Sequence, residues 1–234
     1  MTRAYDLIVF DLDGTLVRTA PEIADAVNDT LRHAGWPTLD ETLVASWIGH
    51  GTGELLVRAL AHVSGRTPQD VRGSPQLAAV GPVFDDFYLR RCGTRSQPYD
   101  GALQALAALR AQGVVCTVVT NKDRRFAQPV LQANGLSGLL DRVVCGDSFA
   151  ARKPDPAGVQ DCLREFCVAP ERALFVGDSA IDAETARRAG IAVWLLPHGY
   201  NAGRPVAQAK PDRIVADFVE LQAALATTAK ESPA

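Results

Sequence analysis

The fold of this chain is decided near its start by the stretch Leu7-Ile8-Val9-Phe10-Asp11-Leu12-Asp13-Gly14-Thr15. Four consecutive apolar residues are typical of a strand that is covered on both faces, as strands of parallel sheets are. The run ends in Asp11 and Asp13, two positions apart, so their side chains point to the same side of an extended chain. This pattern predicts a site at the carboxyl edge of a sheet, where open α/β folds bind ligands.

Further short apolar runs follow, separated by segments of helical length and period. They lie at residues 114–119, 142–145, 173–176, 191–195 and, as a weaker candidate, 213–215. Strands that alternate with helices form parallel sheets covered by helices on both faces. The sequence therefore predicts the α/β class, with five or six strands in the sheet.

One long segment breaks this alternation. Residues 19–91 contain apolar residues at helical spacing, divided by turn-forming clusters, and no convincing strand. An all-helical insertion between the first two strands of a sheet is typical of a separate small domain. We expect a catalytic core of residues 1–17 and 95–234 and an inserted helical domain of residues 18–94.

Composition excludes several classes of function. The 234 residues carry 24 Lys and Arg against 27 Asp and Glu, and this net charge of −3 argues against a nucleic-acid partner. No apolar run approaches the roughly 20 residues of a membrane helix, and acids interrupt the N-terminal apolar stretch. The five cysteines are scattered without a Cys-x-x-Cys pair, as expected of reduced thiols. We expect a cytoplasmic protein with no membrane partner, and the sequence is silent on its oligomeric state.

A second acidic motif follows a later strand. Asp178 and Asp182 stand four positions apart, and they face the same way if a helix begins near Ser179. Such acids also suit a helix N-terminus for purely structural reasons, and Asp-x-Asp-Gly is also a good turn. Together with Asp11 and Asp13, however, they place several carboxylates at one sheet edge. That donor set predicts a hard divalent cation, and Mg²⁺ is the natural candidate.

Two further features bring donors and positive charge to the same edge. Thr120 and Asn121 end the second strand of the sheet, and Lys153 lies in a loop before the helix expected from Ala157. A lone loop lysine is usually just solvated, but here it supplies the single positive charge that the acidic cluster lacks. Acids, a hydroxyl and an ammonium together make electrostatic sense for an anionic substrate, in particular a phosphate ester.

The order of these motifs resembles the haloacid dehalogenase-like phosphohydrolases: Asp-x-Asp-Gly-Thr, Thr-Asn, Lys-Pro and Gly-Asp-x-x-x-Asp. The resemblance implies a Rossmann-like core with a helical cap inserted after the first motif. It also implies that Asp11 attacks phosphorus, while Asp13 protonates the leaving group and then activates water. Mg²⁺ would be held by Asp11, the backbone carbonyl of Asp13 and Asp178, with Asp182 supporting from behind.

The same resemblance assigns the phosphoryl-binding groups to Thr120, the Asn121 backbone and Lys153. Within the family, the stretches 47–60, 120–122, 153–156 and 199–201 are most similar to phosphoglycolate phosphatases, which implies 2-phosphoglycolate as the small phosphorylated metabolite. Arg18-Thr19 and Ala180-Ile181 depart from the usual residue pairs of that group. A sugar phosphatase, a phosphoglucomutase-like transferase and a phospho-accepting signalling module stay open as alternatives.

The cap also holds a glycine cluster at residues 49–53. It does not complete a dinucleotide-binding fingerprint, because Glu54 stands where the last glycine is required and no strand precedes it. We expect a cap loop that folds over the substrate. For His50 and Arg58, contact with the substrate and ordinary surface or packing roles are equally consistent with the sequence.

Overall fold

The central sheet of the protein has six parallel strands. A computed structural model describes residues 4–231. The strands are β1 (Leu7–Phe10), β2 (Val17–Arg18), β3 (Gln97–Pro98), β4 (Val115–Val119), β5 (Arg142–Val144), β6 (Ala173–Gly177), β7 (Ala192–Leu195) and β8 (Arg213–Ile214). The sheet order is β5-β4-β1-β6-β7-β8, and β2 and β3 form a separate antiparallel pair. The α/β prediction is confirmed, and the weak strand candidate at residues 213–215 is the edge strand.

Helices connect the strands. They are α1 (Ala20–His33), α2 (Glu41–Ala45), α3 (Thr52–Ser64), α4 (Pro68–Val71), α5 (Pro75–Arg91), α6 (Ala102–Ala111), α7 (Arg124–Ala133), α8 (Ala157–Glu165), α9 (Ala180–Ala189) and α10 (Phe218–Glu231), with 3₁₀ turns at Pro170–Arg172 and Val206–Ala209. Among the described residues no helix is both long enough and apolar enough to cross a bilayer.

The first strand shows why the sheet is covered on both faces. Ile8 and Phe10 pack into one apolar cluster with residues of α6, α7 and α10, whereas Leu7 and Val9 pack into a second with residues of α8 and α9. Because side chains alternate across a strand, an uninterrupted apolar run is needed when both faces are covered. All four residues are at most 1% exposed.

Helices α1 to α5 lie in the chain between β2 and β3, as the strand-free segment predicts. The two short strands pair in antiparallel fashion, with Val17 opposite Pro98 and Arg18 opposite Gln97, so they join the entrance and the exit of this helical insertion. The sequence did not predict this pairing, because two-residue strands about eighty positions apart carry no periodicity. The division into two domains stays a prediction.

Candidate active site

Sheet register brings the first and last acidic motifs together. Strand β1 lies beside β6, with Phe10 opposite Val176, and the Asp11 amide donates to the Val176 carbonyl at 3.0 Å. Asp11 and Asp178 therefore follow adjacent strands at the same carboxyl edge. Both residues are buried, at 8% and 1% exposure.

Three carboxylates converge at this edge. Asp11, Asp178 and Asp182 each offer an oxygen within 4.8 Å of the others. Burial raises the pKa of Asp11 to about 7. The ammonium of Lys153 lowers this pKa, whereas the carboxylate of Asp182 raises it further. Burial, and then the like charges of Asp182 and Asp11, raise the pKa of Asp178 well above its ordinary value. The three carboxylates can carry more negative charge than the one ammonium beside them, that of Lys153, offsets.

Asp182 is held by the start of α9. Ser179 caps this helix, and Asp182 completes a capping box in which its Oδ2 accepts from the Ser179 amide at 3.1 Å and the Ser179 hydroxyl at 2.7 Å. The same oxygen accepts from the Asp178 amide at 3.2 Å, and Oδ1 accepts from Lys153. The Asp182 carboxylate thus accepts four hydrogen bonds from protein donors, three of them on Oδ2, and it connects the start of α9 to Lys153.

Lys153 lies inside the cluster rather than in solvent. Its side chain is 3% exposed, and its Nζ is 2.8 Å from Asp11 Oδ1 and 2.8 Å from Asp182 Oδ1. Burial by itself lowers the pKa of this ammonium, but the two carboxylates outweigh burial and raise it. The positive charge is therefore kept beside Asp11.

Asn121 fixes the backbone that carries Lys153. Its Oδ1 accepts from the Lys153 amide at 2.8 Å, and its Nδ2 donates to the Lys153 carbonyl at 3.1 Å. Nδ2 also donates to the Gly49 carbonyl at 2.9 Å, which connects the sheet edge to the glycine-rich loop of the insertion. Asn121 thus has a side-chain role that the sequence did not predict.

A second buried ion pair lies at the same edge. Lys122 Nζ donates to Asp13 Oδ1 at 2.8 Å and also to the Tyr88 hydroxyl, and the lysine side chain is 1% exposed. Thr19 donates its hydroxyl to the same oxygen of Asp13 at 2.7 Å. The expectation that Lys153 is the single positive charge is therefore wrong. Lys122 directly follows Thr120 and Asn121 at the end of β4, and this position was the available signal.

The acidic cluster fits Mg²⁺. Carboxylate oxygens are the ligands that this cation prefers, and the three buried carboxylates exceed the one ammonium beside them. Asp178 is fixed by the Thr15 hydroxyl at 2.5 Å and the Tyr200 amide at 2.5 Å, each on a different oxygen. A Cβ on Gly14 would lie 2.5 Å from Asp178 Oδ2, so this glycine is needed for the close approach.

A small cavity of about 30 Å³ lies between the sheet edge and the insertion. Its lining includes Asp11, Asp13, Thr120, Asn121 and Lys122 from the core side and Ile23, Ile48, Gly49, Gly51, Thr52, Leu55 and Tyr88 from the insertion side. Gly49 and Gly51 of the glycine-rich loop thus line the same cavity as Asp11 and Asp13, and the folding of this loop over a substrate stays a prediction. Neither His50 nor Arg58 is part of this lining, and Arg58 instead forms an ion pair with Glu54 at 3.0 Å.

Comparison with known proteins gives consistent matches. A model of the haloacid dehalogenase-like hydrolases matches residues 5–190. A phosphoglycolate phosphatase of Pasteurella multocida is 38% identical over 217 residues, which cover 93% of this chain and 96% of that protein. The sequence similarity therefore includes the sheet and the helices inserted into it.

Solved structures show the same fold. The crystal structure of a predicted phosphoglycolate phosphatase from Haemophilus somnus superimposes with a TM-score of 0.86 at 35% identity, over 94% of this chain and 98% of that chain. The structure of CbbY from Rhodobacter sphaeroides in complex with phosphate gives a TM-score of 0.77 at 25% identity, over 95% and 99% of the two chains. The matched fold thus occurs in a protein that was crystallised with phosphate.

Proposed function

The chain belongs to the haloacid dehalogenase-like hydrolases and hydrolyses phosphoric monoesters, and we propose that its substrate is 2-phosphoglycolate, cleaved through a phosphorylated Asp11. One observation carries the chemistry: the Asp11 carboxylate is buried at the sheet edge between an ammonium, Lys153, and a second carboxylate, Asp178. This arrangement supplies a nucleophile together with the charges that a phosphoryl group requires.

In the first step, a carboxylate oxygen of Asp11 attacks phosphorus and the bond from phosphorus to the ester oxygen breaks. Asp13 donates a proton to the departing alkoxide, which leaves as the alcohol of glycolate. Lys153, Thr120 and the Asn121 backbone bind the phosphoryl oxygens and offset their charge. A carboxylate nucleophile divides one difficult displacement into two easier steps.

In the second step, Asp13 acts as the base. It removes a proton from a water molecule whose oxygen attacks phosphorus, and the bond between phosphorus and Asp11 breaks. Inorganic phosphate leaves, Asp11 is again a carboxylate and Asp13 is again protonated. The presence of a carboxyl group at Asp13 therefore favours hydrolysis over a stable phosphorylated state.

We propose that Asp11, Asp178 and the backbone carbonyl of Asp13 hold Mg²⁺, with Asp182 supporting them. When bound, this cation neutralises phosphoryl charge and aligns the attack. The donor set supports the assignment, because three buried carboxylates offer oxygens within 4.8 Å of one another and one ammonium, that of Lys153, pairs with them.

The choice of substrate is supported by the relatives that are named phosphoglycolate phosphatases and match over nine-tenths of the chain.

The test is a panel of phosphoesters, with phosphate release measured in Mg²⁺ and in EDTA. We expect the highest kcat/KM for 2-phosphoglycolate and loss of turnover in EDTA. Preference for a hexose phosphate would replace the substrate but keep the chemistry. One equivalent of phosphate retained on the protein without turnover would instead indicate a signalling module and refute the proposed function.

A further inference from the structure

Lys122 is a buried cation that the proposed chemistry does not use. Its Nζ lies 2.8 Å from Asp13 Oδ1, against the hydroxyl of Tyr88 and 4.9 Å from the centre of the Tyr88 ring. Burying an ammonium is costly unless it has partners, so a lysine with only 1% of its side chain exposed needs the carboxylate beside it. Equally, the position of Asp13 depends on this ammonium.

Two side chains donate hydrogen bonds to the same oxygen of Asp13. Lys122 Nζ and Thr19 Oγ1, at 2.8 and 2.7 Å, both donate to Oδ1, and these are the side-chain hydrogen bonds that described residues give to this carboxyl group. Two donors on one oxygen fix the carboxyl plane and leave Oδ2 for a proton transfer. A general acid must present its oxygen within hydrogen-bond reach of the departing group, so this orientation matters for the rate.

Lys122 is in turn held from the helical insertion. Tyr88 lies on α5, is 1% exposed, and its ring lies 4.6 Å, centre to centre, from the ring of Phe126 on α7. The phenol is therefore packed between the insertion and the core, and its hydroxyl fixes the far side of the ammonium. A helix of the insertion thus reaches Asp13 through one lysine.

We propose that Lys122 is a positioning residue for the acid and base function of Asp13, and that Tyr88 positions Lys122. The inference rests on the proposed function, since it assumes that Asp13 protonates the leaving group. It assigns to Lys122 a role separate from that of Lys153, which faces the nucleophile.

The test uses two small substrates that differ in their need for a proton. 2-Phosphoglycolate releases an alkoxide, which must be protonated, whereas acetyl phosphate releases acetate, which leaves as the anion. For Lys122→Met we expect kcat/KM for 2-phosphoglycolate to fall roughly 10- to 100-fold, within the range that general acids contribute. For acetyl phosphate we expect a change of less than roughly threefold, because kcat/KM reports formation of the phosphorylated Asp11 and not its hydrolysis.

Tyr88→Phe is the second variant, because it keeps the ring packing and removes only the hydroxyl. We expect the same selective loss at a smaller size, roughly threefold to tenfold for 2-phosphoglycolate alone. Lys122→Arg keeps the charge, and we expect it to recover part of the loss seen in Lys122→Met. Thermal unfolding of each variant separates these effects from a loss of folded protein.

Four results would overturn the inference. Equal losses with both substrates would show a general structural role for Lys122, and so would an unaffected Tyr88→Phe together with a misfolded Lys122→Met. A rise in KM for 2-phosphoglycolate that is absent for 2-hydroxyethyl phosphate would mean that Lys122 binds the substrate carboxylate instead. A wild-type protein that hydrolyses none of these esters would refute the proposed function itself, and the inference with it.

Discussion

The site contains two buried lysines whose surroundings differ. Lys153 lies between two carboxylates, Asp11 and Asp182, and each of its partners is on the sheet core. Lys122 pairs with one carboxylate, Asp13, and its other partner is Tyr88 of the insertion. One ammonium is therefore held by the core alone, and the other joins the core to the insertion.

This difference separates the proposed nucleophile, Asp11, from the proposed acid and base, Asp13. A nucleophile has to stay in one place, and contacts within a parallel sheet supply that rigidity. Asp13, the acid and base of the proposed mechanism, instead depends on a residue of the insertion, because it pairs with Lys122 and Lys122 contacts Tyr88.

The largest effect is expected for Asp11→Asn, which removes the nucleophile but keeps the shape of the side chain. We expect kcat for 2-phosphoglycolate to fall by roughly 10⁴-fold or more. The melting temperature should stay at or above that of the wild type in EDTA, because a buried charge is removed. Substantial residual turnover in this variant would refute the mechanism on the core side of the site.

Lys153→Met is expected to destabilise the protein as well as inactivate it. Removing one partner of a buried ion pair leaves uncompensated charge and costs roughly 3–5 kcal/mol. The matched variant Lys122→Met should cost clearly less, because Asp13 keeps its bond from Thr19 and has 13% of its side chain exposed. Urea unfolding of both variants measures the difference, and equal losses would contradict the contrast between the two lysines.

Asp178→Asn should stabilise the metal-free protein, with a pH dependence of known sign. The pKa of Asp178 is raised in the folded state, so its carboxyl favours folding below its unfolded pKa, and that contribution is lost as pH rises. In EDTA at about pH 8 we expect the variant to melt roughly 3–8 °C above the wild type, with a smaller difference near about pH 4.

The substitution is conservative in its contacts, because an asparagine oxygen can accept from the Tyr200 amide while its nitrogen donates to the Thr15 hydroxyl. Differential scanning fluorimetry across pH, with and without Mg²⁺, provides the measurement. Mg²⁺ should raise the melting temperature of the wild type more than that of the variant. If the variant is less stable than the wild type at high pH, the repulsion of Asp178 by Asp11 and Asp182 does not destabilise the metal-free protein.

The smallest effect on activity is expected for a substitution in the glycine-rich loop, where the insertion meets the sheet core. Gly51 has φ +88°, and a Cβ there would lie 2.1 Å from Nη1 of Arg152. For Gly51→Ala we expect a loss of roughly 1–2 kcal/mol in stability and a rise in KM, because the added Cβ strains the backbone and displaces a loop that lines the cavity. Adding Arg152→Ala should recover the steric part of the loss but not the backbone part, and a double-mutant cycle separates the two.

Much of the site was predictable because its residues follow strands. Apolar runs located β1, β4 and β6, and the polar residues after them had to meet at one edge of a parallel sheet. Lys153 contacts Asp11 and Asp182, and Thr120 and Asn121 line the cavity that Asp11 and Asp13 also line, while their roles toward a substrate stay predictions. The side-chain bonds of Asn121 to the loop of Lys153 were not predictable, since nothing in a Thr-Asn pair specifies a partner about thirty positions later.

Lys122 shows the limit of the same reasoning. Its position after Thr120 and Asn121 places it at the sheet edge, but a lysine beside a turn is usually solvated, and the sequence does not indicate its burial against Asp13 and Tyr88. The pairing of β2 with β3 is a similar case, because each strand has only two residues and gives no periodic signal.

The sequence by itself determined the class of fold, the order of the motifs and the acidic character of one sheet edge. It could do so because strand periodicity and residue type are local properties. Only the tertiary structure decided which ammonium faces which carboxylate, since Lys122 and Asp13 are 109 positions apart, and Thr15 and Asp178 are 163 apart. Such pairs depend on strand order and on the packing of α5 against the core, which no local pattern encodes.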